Sequence, residues 1–274
     1  MCGHYGIIRT HQNPITTPMV LGLHLMATSQ GHGAHGIIMD APNKFDFKKK
    51  QGDKLTITDE ELINRNFLLG HTRAAMFGST NNNHNNHPVI SQDGVVMINH
   101  NGGVNDRAMY EMIRKSTGVN LKPYAQVDTL ALSEMMAMFL KQGCNLHEAG
   151  IAMMQQMPKF PQNWAACAIV ANTFPGKFLL FKWGATLSLR MMQDYIIYAT
   201  RKWWIEDTLT HLTKNISLMR PGLTTFKDIK KESFKESFEY DLIEGDVLHI
   251  DHNLRTMTLA NPLARTSNEF PRTY

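Results

Sequence analysis

The chain opens Met1-Cys2-Gly3-His4-Tyr5-Gly6-Ile7-Ile8-Arg9, and the reading of this stretch decides the fold. Gly3 to Arg9 predicts a short strand, with Ile7 and Ile8 apolar and Gly3 and Gly6 allowing another backbone to come close. Directly ahead of that strand, and directly behind the first methionine, stands Cys2. A small penultimate side chain lets Met1 be trimmed, which leaves a cysteine carrying its own α-amino group. That amine titrates near pH ~8 in an unperturbed peptide, so part of it is a free base at neutral pH. An N-terminal amine is an established activator of a side-chain nucleophile. On the dipeptide alone, cysteine at position two is better read as coincidence, so the decision falls to the rest of the chain.

The bulk numbers leave that choice open while closing others. With 274 residues, 43% hydrophobic and 19% charged, the chain is an ordinary globular protein with material for one large domain or two small ones. The net charge of +4 is mild, and basic residues cluster only briefly, as in Lys48-Lys49-Lys50 and Lys230-Lys231, which gives nucleic-acid binding no support. No apolar run is long enough to cross a bilayer. Ile15 to Ala27 comes nearest to a signal-peptide core, but His24 interrupts it and a buried helix is expected instead. Cys2, Cys144 and Cys167 make an odd set without CxxC spacing, neither a disulfide framework nor a cysteine-rich zinc site. A reducing, cytoplasmic setting is expected, and a cysteine nucleophile requires one.

Beyond the first strand, the pattern predicts a helix over Thr17 to Ser29, a glycine-rich turn at Gly31 to Gly36 and a strand starting at Ile37-Ile38-Met39. Lys44 to Thr58 is polar and predicts a hairpin excursion, and Asp59-Glu60-Glu61 opens a short helix, since carboxylates suit a helix N-terminus. Leu68 to Arg73 and Val95 to Asn99 predict buried strands flanking an asparagine- and histidine-rich loop, Ser79 to His87. Asp106 to Thr117 and Leu130 to Gln142 have helical spacing, and Trp164 to Thr173 with Lys177 to Trp183 predict a β-hairpin. Short strands follow at Leu187 to Leu189, Tyr195 to Ala199, Val247 to Asp251 and Thr256 to Leu259. Strand pairs interleaved with helices imply layered sheets covered by helices, in a single domain whose residues from about 201 to 274 form a C-terminal extension.

Three constellations combine glycine with the polar types an amide-cleaving site needs. Gly70-His71-Thr72-Arg73 ends a strand in an arginine, whose planar fork matches a carboxylate, although an isolated arginine is more often a surface ion-pair partner. Asn99-His100-Asn101-Gly102-Gly103 places an Asn-Gly turn at a strand end, where a side-chain amide and a backbone N–H can together hold an oxyanion. As a bare turn it is unremarkable. Val127-Asp128-Thr129 puts an acid just ahead of a helix, where capping is its simplest role. Taken together, Cys2 would attack a γ-amide, Asn101 and Gly102 would hold the oxyanion, Arg73 would clamp an α-carboxylate and Asp128 an α-ammonium. Such a site recognises free L-glutamine.

Met1-Cys2-Gly3, Gly70-His71-Thr72-Arg73, Asn86-His87-Pro88, His100-Asn101-Gly102 and Val127-Asp128-Thr129 fall in an order and spacing that resembles the class II glutamine amidotransferases. Gly31 with Gly36-Ile37, and Trp164-Ala165-Ala166, extend the resemblance, which covers roughly Cys2 to Ala199. It implies a four-layer αββα sandwich of the N-terminal-nucleophile hydrolase type, an α+β fold. It also implies Cys2 as nucleophile and N-terminal base, Asn101 and Gly102 as the oxyanion hole, Arg73 and Asp128 as glutamine-binding groups, and no cofactor or metal. The chain departs from the resembled pattern at Ala74, where several relatives carry an aromatic residue, and at Met76-Phe77, where a polar pair is often found. Gln30 and Gly33 replace the usual arginine and aspartate of the RGxDSAG stretch. These changes bear on glutamine affinity and on closure of a loop over the site.

Other features are read as structure. His84 and His87 of the polar loop, and His249 and His252 near a strand, are expected to be loop and surface residues rather than metal ligands. The methionines of Met135-Met136-Met138 and Met153-Met154 are expected in helical cores. Lys227 to Glu239 reads as a solvated amphipathic helix. The expectation is thus a stand-alone glutaminase module, without an acceptor domain on the same chain, that hydrolyses glutamine and passes ammonia to a separate synthetase subunit. It needs no nucleic acid or membrane and is compatible with a homo-oligomer. A γ-glutamyl amide hydrolase acting on a larger metabolite and a catalytically silent scaffold are the alternatives.

Overall fold

The computed structural model describes residues 2–11, 13–160, 163–214, 236–253, 255–263 and 270–273. Two seven-stranded antiparallel sheets face each other across a shared apolar core. The first contains β1 (Gly3–Arg9), β2 (Ala34–Ala41), β3 (Lys44–Gln51), β4 (Phe67–Arg73), β9 (Ser188–Met192), β10 (Tyr195–Ala199) and β11 (Glu236–Asp241). Their order is β11-β9-β10-β1-β4-β2-β3. The second contains β5 (Val89–Ile90), β6 (Val96–Gly103), β7 (Trp164–Ala171), β8 (Lys177–Trp183), β12 (Val247–Asp251), β13 (Thr256–Ala260) and β14 (Phe270–Thr273). Their order is β14-β13-β12-β8-β7-β6-β5. Helices α1 (Thr17–Thr28) and α6 (Lys202–Lys214) cover the first sheet, and α3 (Asp106–Thr117), α4 (Thr129–Lys141) and α5 (Leu146–Gln156) cover the second. One turn of helix, α2 (Asp59–Leu62), starts on the carboxylate-rich segment with Thr58 and Glu61 forming a capping box.

The four layers follow from strand parity. Side chains on a strand alternate faces, so each strand of a buried sheet must be apolar on both. On β1, Tyr5 and Ile7 pack outward against Met19, Leu23 and Trp204 of the covering helices. Ile8 points inward, into the layer shared with Phe67, Leu69, Ala168 and Phe178. On the far side, Val96, Ile98, Cys167 and Ile169 pack outward against Met109, Met135, Met136, Met153 and Met154. The methionines are therefore core residues, as their spacing predicts.

One cross-strand pair shows why glycine stands in these strands. Tyr5 is the register partner of Gly70, and a Cβ on Gly70 would lie 2.1 Å from the Tyr5 ring. The same ring is anchored by its hydroxyl, 3.0 Å from His24 Nδ1. Since neither the ring nor the strand can retreat, Gly70→Ala is expected to cost about 2 kcal/mol or more, from the overpacking range. Urea unfolding would read it, and a variant with wild-type midpoint would refute the reading.

Two expectations need correction. Gly102 is no turn residue: β6 runs on to Gly103, with Asn101, Gly102 and Gly103 paired to Ala166, Ala165 and Trp164 of β7. The supply of ladder partners on β7 overrides the Asn-Gly turn preference. Lys227 to Glu239 was expected to be helical; 227–235 lie outside the described residues, and Glu236–Asp241 is an edge strand paired with β9. Residues beyond 201 contribute α6, β11 and β12 to β14, and so build into both sheets.

Candidate active site

Parity also gathers the site. Phe67 and Leu69 face inward on β4, so Arg73 does too; Met97 faces inward on β6, so Asn101 does too. Cys2 immediately precedes β1, whose Gly3 pairs with Thr72, which brings the cysteine beside Arg73. The Cys2 backbone nitrogen then donates to Asn101 Oδ1 at 3.1 Å, although 99 positions separate the two. With Met1 in place this nitrogen is an amide, and it stands where the α-amine of a trimmed chain would be.

That bond orients the Asn101 amide. Its oxygen is taken by Cys2, so Nδ2 is the group left to donate to a substrate oxygen. Next to it, a Cβ on Gly102 would lie 2.0 Å from the Trp164 carbonyl and 2.5 Å from His100 Nε2, so no larger residue fits. The Cys2 thiol donates to the Ala74 carbonyl at 3.6 Å. Burial pushes this thiol up from its ordinary range; the Arg73 charge pulls it down and the Asp128 charge pushes it up further. A thiol held neutral in this way needs a base within reach before it can attack.

Arg73 is only 2% exposed, which excludes the surface role. Its guanidinium donates to Asn86 Oδ1 at 3.0 Å, to the Gly78 carbonyl at 2.9 Å and to the Phe77 carbonyl. The arginine thus holds the loop after β4, where Met76 and Phe77 stand exposed. Asp128 makes no side-chain cap on α4. Its Oδ2 accepts from the Val104 N–H at 2.7 Å, so the carboxylate is fixed beside the end of β6.

Sequence reasoning missed two groups at this site. The Gln30 side-chain amide, oriented to satisfy both neighbours, donates to the Cys2 carbonyl at 3.2 Å and accepts from Arg201 Nε at 3.0 Å. Gln30 departs from the resembled pattern in the glycine-rich stretch, but nothing in the sequence links it to Arg201. Of the histidines expected in loops and at the surface, His84 is exposed but His87 is buried, and it joins His4, His71 and His100, which are buried too.

No protein-family model matches the chain, and none of the curated proteins matches it. Solved structures do. The chain aligns over 97% of its length with a structure of glutamine phosphoribosylpyrophosphate amidotransferase from B. subtilis complexed with ADP and GMP, at a TM-score of 0.62 and 15% identity. It aligns equally far, with a TM-score of 0.64 and 15% identity, with a structure described as the allosteric regulatory enzyme of purine biosynthesis. In both cases it covers 50% of the other chain, so it spans half the length of these neighbours. Sheet order, covering helices and this likeness agree: the chain has the αββα fold of an N-terminal-nucleophile hydrolase, the fold it shares with glutamine phosphoribosylpyrophosphate amidotransferase.

Proposed function

We propose that this chain is a class II glutamine amidotransferase module that hydrolyses the γ-amide of glutamine through a thioester on Cys2. The observation that supports this reading is the 3.1 Å bond between the Cys2 nitrogen and Asn101 Oδ1, which sets the residue proposed as nucleophile and base beside the residue proposed to hold the oxyanion. Once Met1 is removed, the α-amine takes the thiol proton and the thiolate attacks the γ-carbonyl carbon. Asn101 Nδ2 and the Gly102 N–H hold the resulting oxyanion. The ammonium returns its proton to the leaving nitrogen, ammonia departs, and the amine then activates a water that hydrolyses the thioester to glutamate. Arg73 and Asp128 bind the α-carboxylate and α-ammonium. Ammonia passes to a separate synthetase subunit.

The clamp gives a specific expectation. Asp128→Asn keeps the Val104 bond but loses the charge, so KM for glutamine should rise about tenfold or more with kcat changed far less. Steady-state kinetics on glutamine would show it, and an unchanged KM would remove Asp128 from the substrate site. The function itself is tested by glutamate release from glutamine by the trimmed protein. Exposed Met76 and Phe77 beside Arg73 favour a second reading, a γ-glutamyl amide with an apolar amine portion. Faster turnover of γ-glutamyl conjugates than of glutamine would select it, and turnover of neither would refute both.

A further inference from the structure

Four histidines converge beneath this site, and the proposed chemistry uses none of them. His4 on β1, His71 on β4, His87 in the loop before β5 and His100 on β6 are at most 4% exposed. The rings of His71 and His87 lie 3.9 Å apart, with His4 6.0 Å from His71 and His100 6.4 Å from His87. Burial draws all four below the ordinary histidine range, His4 to about 3, so each is neutral at neutral pH. Among the described residues, no three histidines, cysteines or carboxylates are grouped as a metal ion would require.

A neutral imidazole carries one N–H, and the partners fix which nitrogen holds it. A carbonyl only accepts, so His4 Nε2 donates to the Asn99 carbonyl at 3.0 Å and His71 Nε2 to the His100 carbonyl at 2.9 Å. The His87 Nδ1 is buried without a partner. An orphaned N–H there would be the costlier choice, so the proton sits on Nε2 and is donated to Thr129 Oγ1 at 2.9 Å. Thr129 is 1% exposed, and its own hydroxyl hydrogen then goes to His100 Nδ1 at 3.0 Å. That leaves the His100 proton on Nε2, which approaches the Trp164 carbonyl without reaching full hydrogen-bond geometry. The donors therefore run one way, from His87 through Thr129 to His100. They end on His100 Nε2 and the Trp164 oxygen, the two nearest of the atoms that a Cβ on Gly102 would strike.

Each member of this chain is also the sequence neighbour of a group at the site: His87 of Asn86, Thr129 of Asp128, His100 of Asn101. We propose that Thr129 is a positioning residue, whose hydroxyl receives from His87, donates to His100, and so fixes the tautomer of His100 and the seat of Asn101 and Gly102. The kinetic consequence rests on the amide-hydrolase reading above; the placement of protons rests on the geometry alone.

The test compares Thr129→Val, which keeps the shape and removes the hydroxyl, with Thr129→Ser, which keeps it. With glutamine as substrate, the valine variant should lose about tenfold or more in kcat, with KM within about threefold because Asp128 is held separately by Val104. The serine variant should stay within about threefold of wild type in both. Nitrogen-15 spectra of the imidazoles in the whole chain should show His87 and His100 as Nε2–H tautomers in wild type and the serine variant, with His100 changed in the valine variant. Wild-type kcat in the valine variant, equal losses in both variants, or an Nδ1–H tautomer at His100 in wild type would each overturn the proposal. Should the valine variant not fold, the wild-type and serine spectra and serine kinetics still decide. A wild-type protein that hydrolyses no γ-glutamyl amide would refute the functional reading, while the spectra would still judge the proton chain.

Discussion

Cys2→Ala is expected to reduce glutamine hydrolysis by about a thousandfold or more while leaving the fold intact, because no other side chain replaces a covalent nucleophile. The fold should not notice the change. Cys2 is half-buried, and among the described residues its thiol makes only the long contact to the Ala74 carbonyl. A second preparation separates nucleophile from base. Protein whose intact mass shows Met1 retained should be comparably inactive, because an amide nitrogen cannot take up the thiol proton. Burial makes this dependence sharper, since it holds the thiol neutral until a base acts. Glutamate release, measured together with intact mass and circular dichroism, reads all three states. Residual turnover above about 1% in the alanine variant would exclude a Cys2 thioester.

Acid is expected to unfold this protein steeply, between about pH 6 and pH 4. His4 is held down to about 3 and His24 to about 4, while His71 and His87 lie well below the ordinary 6.5, in each case chiefly through burial. Below pH 6.5 the unfolded chain binds protons that the folded chain cannot, so stability falls as pH falls. The loss continues until each folded group titrates in turn. One pH unit is worth about 1.4 kcal/mol for each such histidine, so four of them remove about 5 kcal/mol by pH 5.5. That is comparable with the whole stability of an ordinary domain. Urea midpoints measured from pH 7.5 to pH 5 would show the decline. A flat profile over that range would mean that the buried rings accept protons in place.

The layers and the placement of Arg73 and Asn101 were legible because both depend on local pattern. Apolar runs of strand length, spaced by helical segments, give the sandwich, and the inward positions of Arg73 and Asn101 follow from counting back along β4 and β6 to Leu69 and Met97. What was illegible depends on distant partners. Asn101-Gly102 reads as a turn until Ala165 and Ala166 are seen to pair with it. His87 reads as a surface residue because its neighbours in the sequence are asparagines, yet its ring is stacked on His71 and bonded to Thr129. Gln30 finds Arg201 across 171 positions, a pairing that no spacing rule reaches. Thr129 stands in Val127-Asp128-Thr129 beside a charged residue, and nothing local shows that its hydroxyl meets two buried rings from distant strands and loops.

With Arg73 in its proposed role as carboxylate clamp, its grip on the loop after β4 makes affinity and loop order two sides of one equilibrium. The Nη2 protons of that guanidinium already meet the Phe77 and Gly78 carbonyls, so a carboxylate that takes them must displace those carbonyls. A carboxylate that displaces those carbonyls therefore releases the loop, and a loop drawn away by any other contact frees the arginine for the carboxylate. Each event changes the other by the same free energy, whichever comes first.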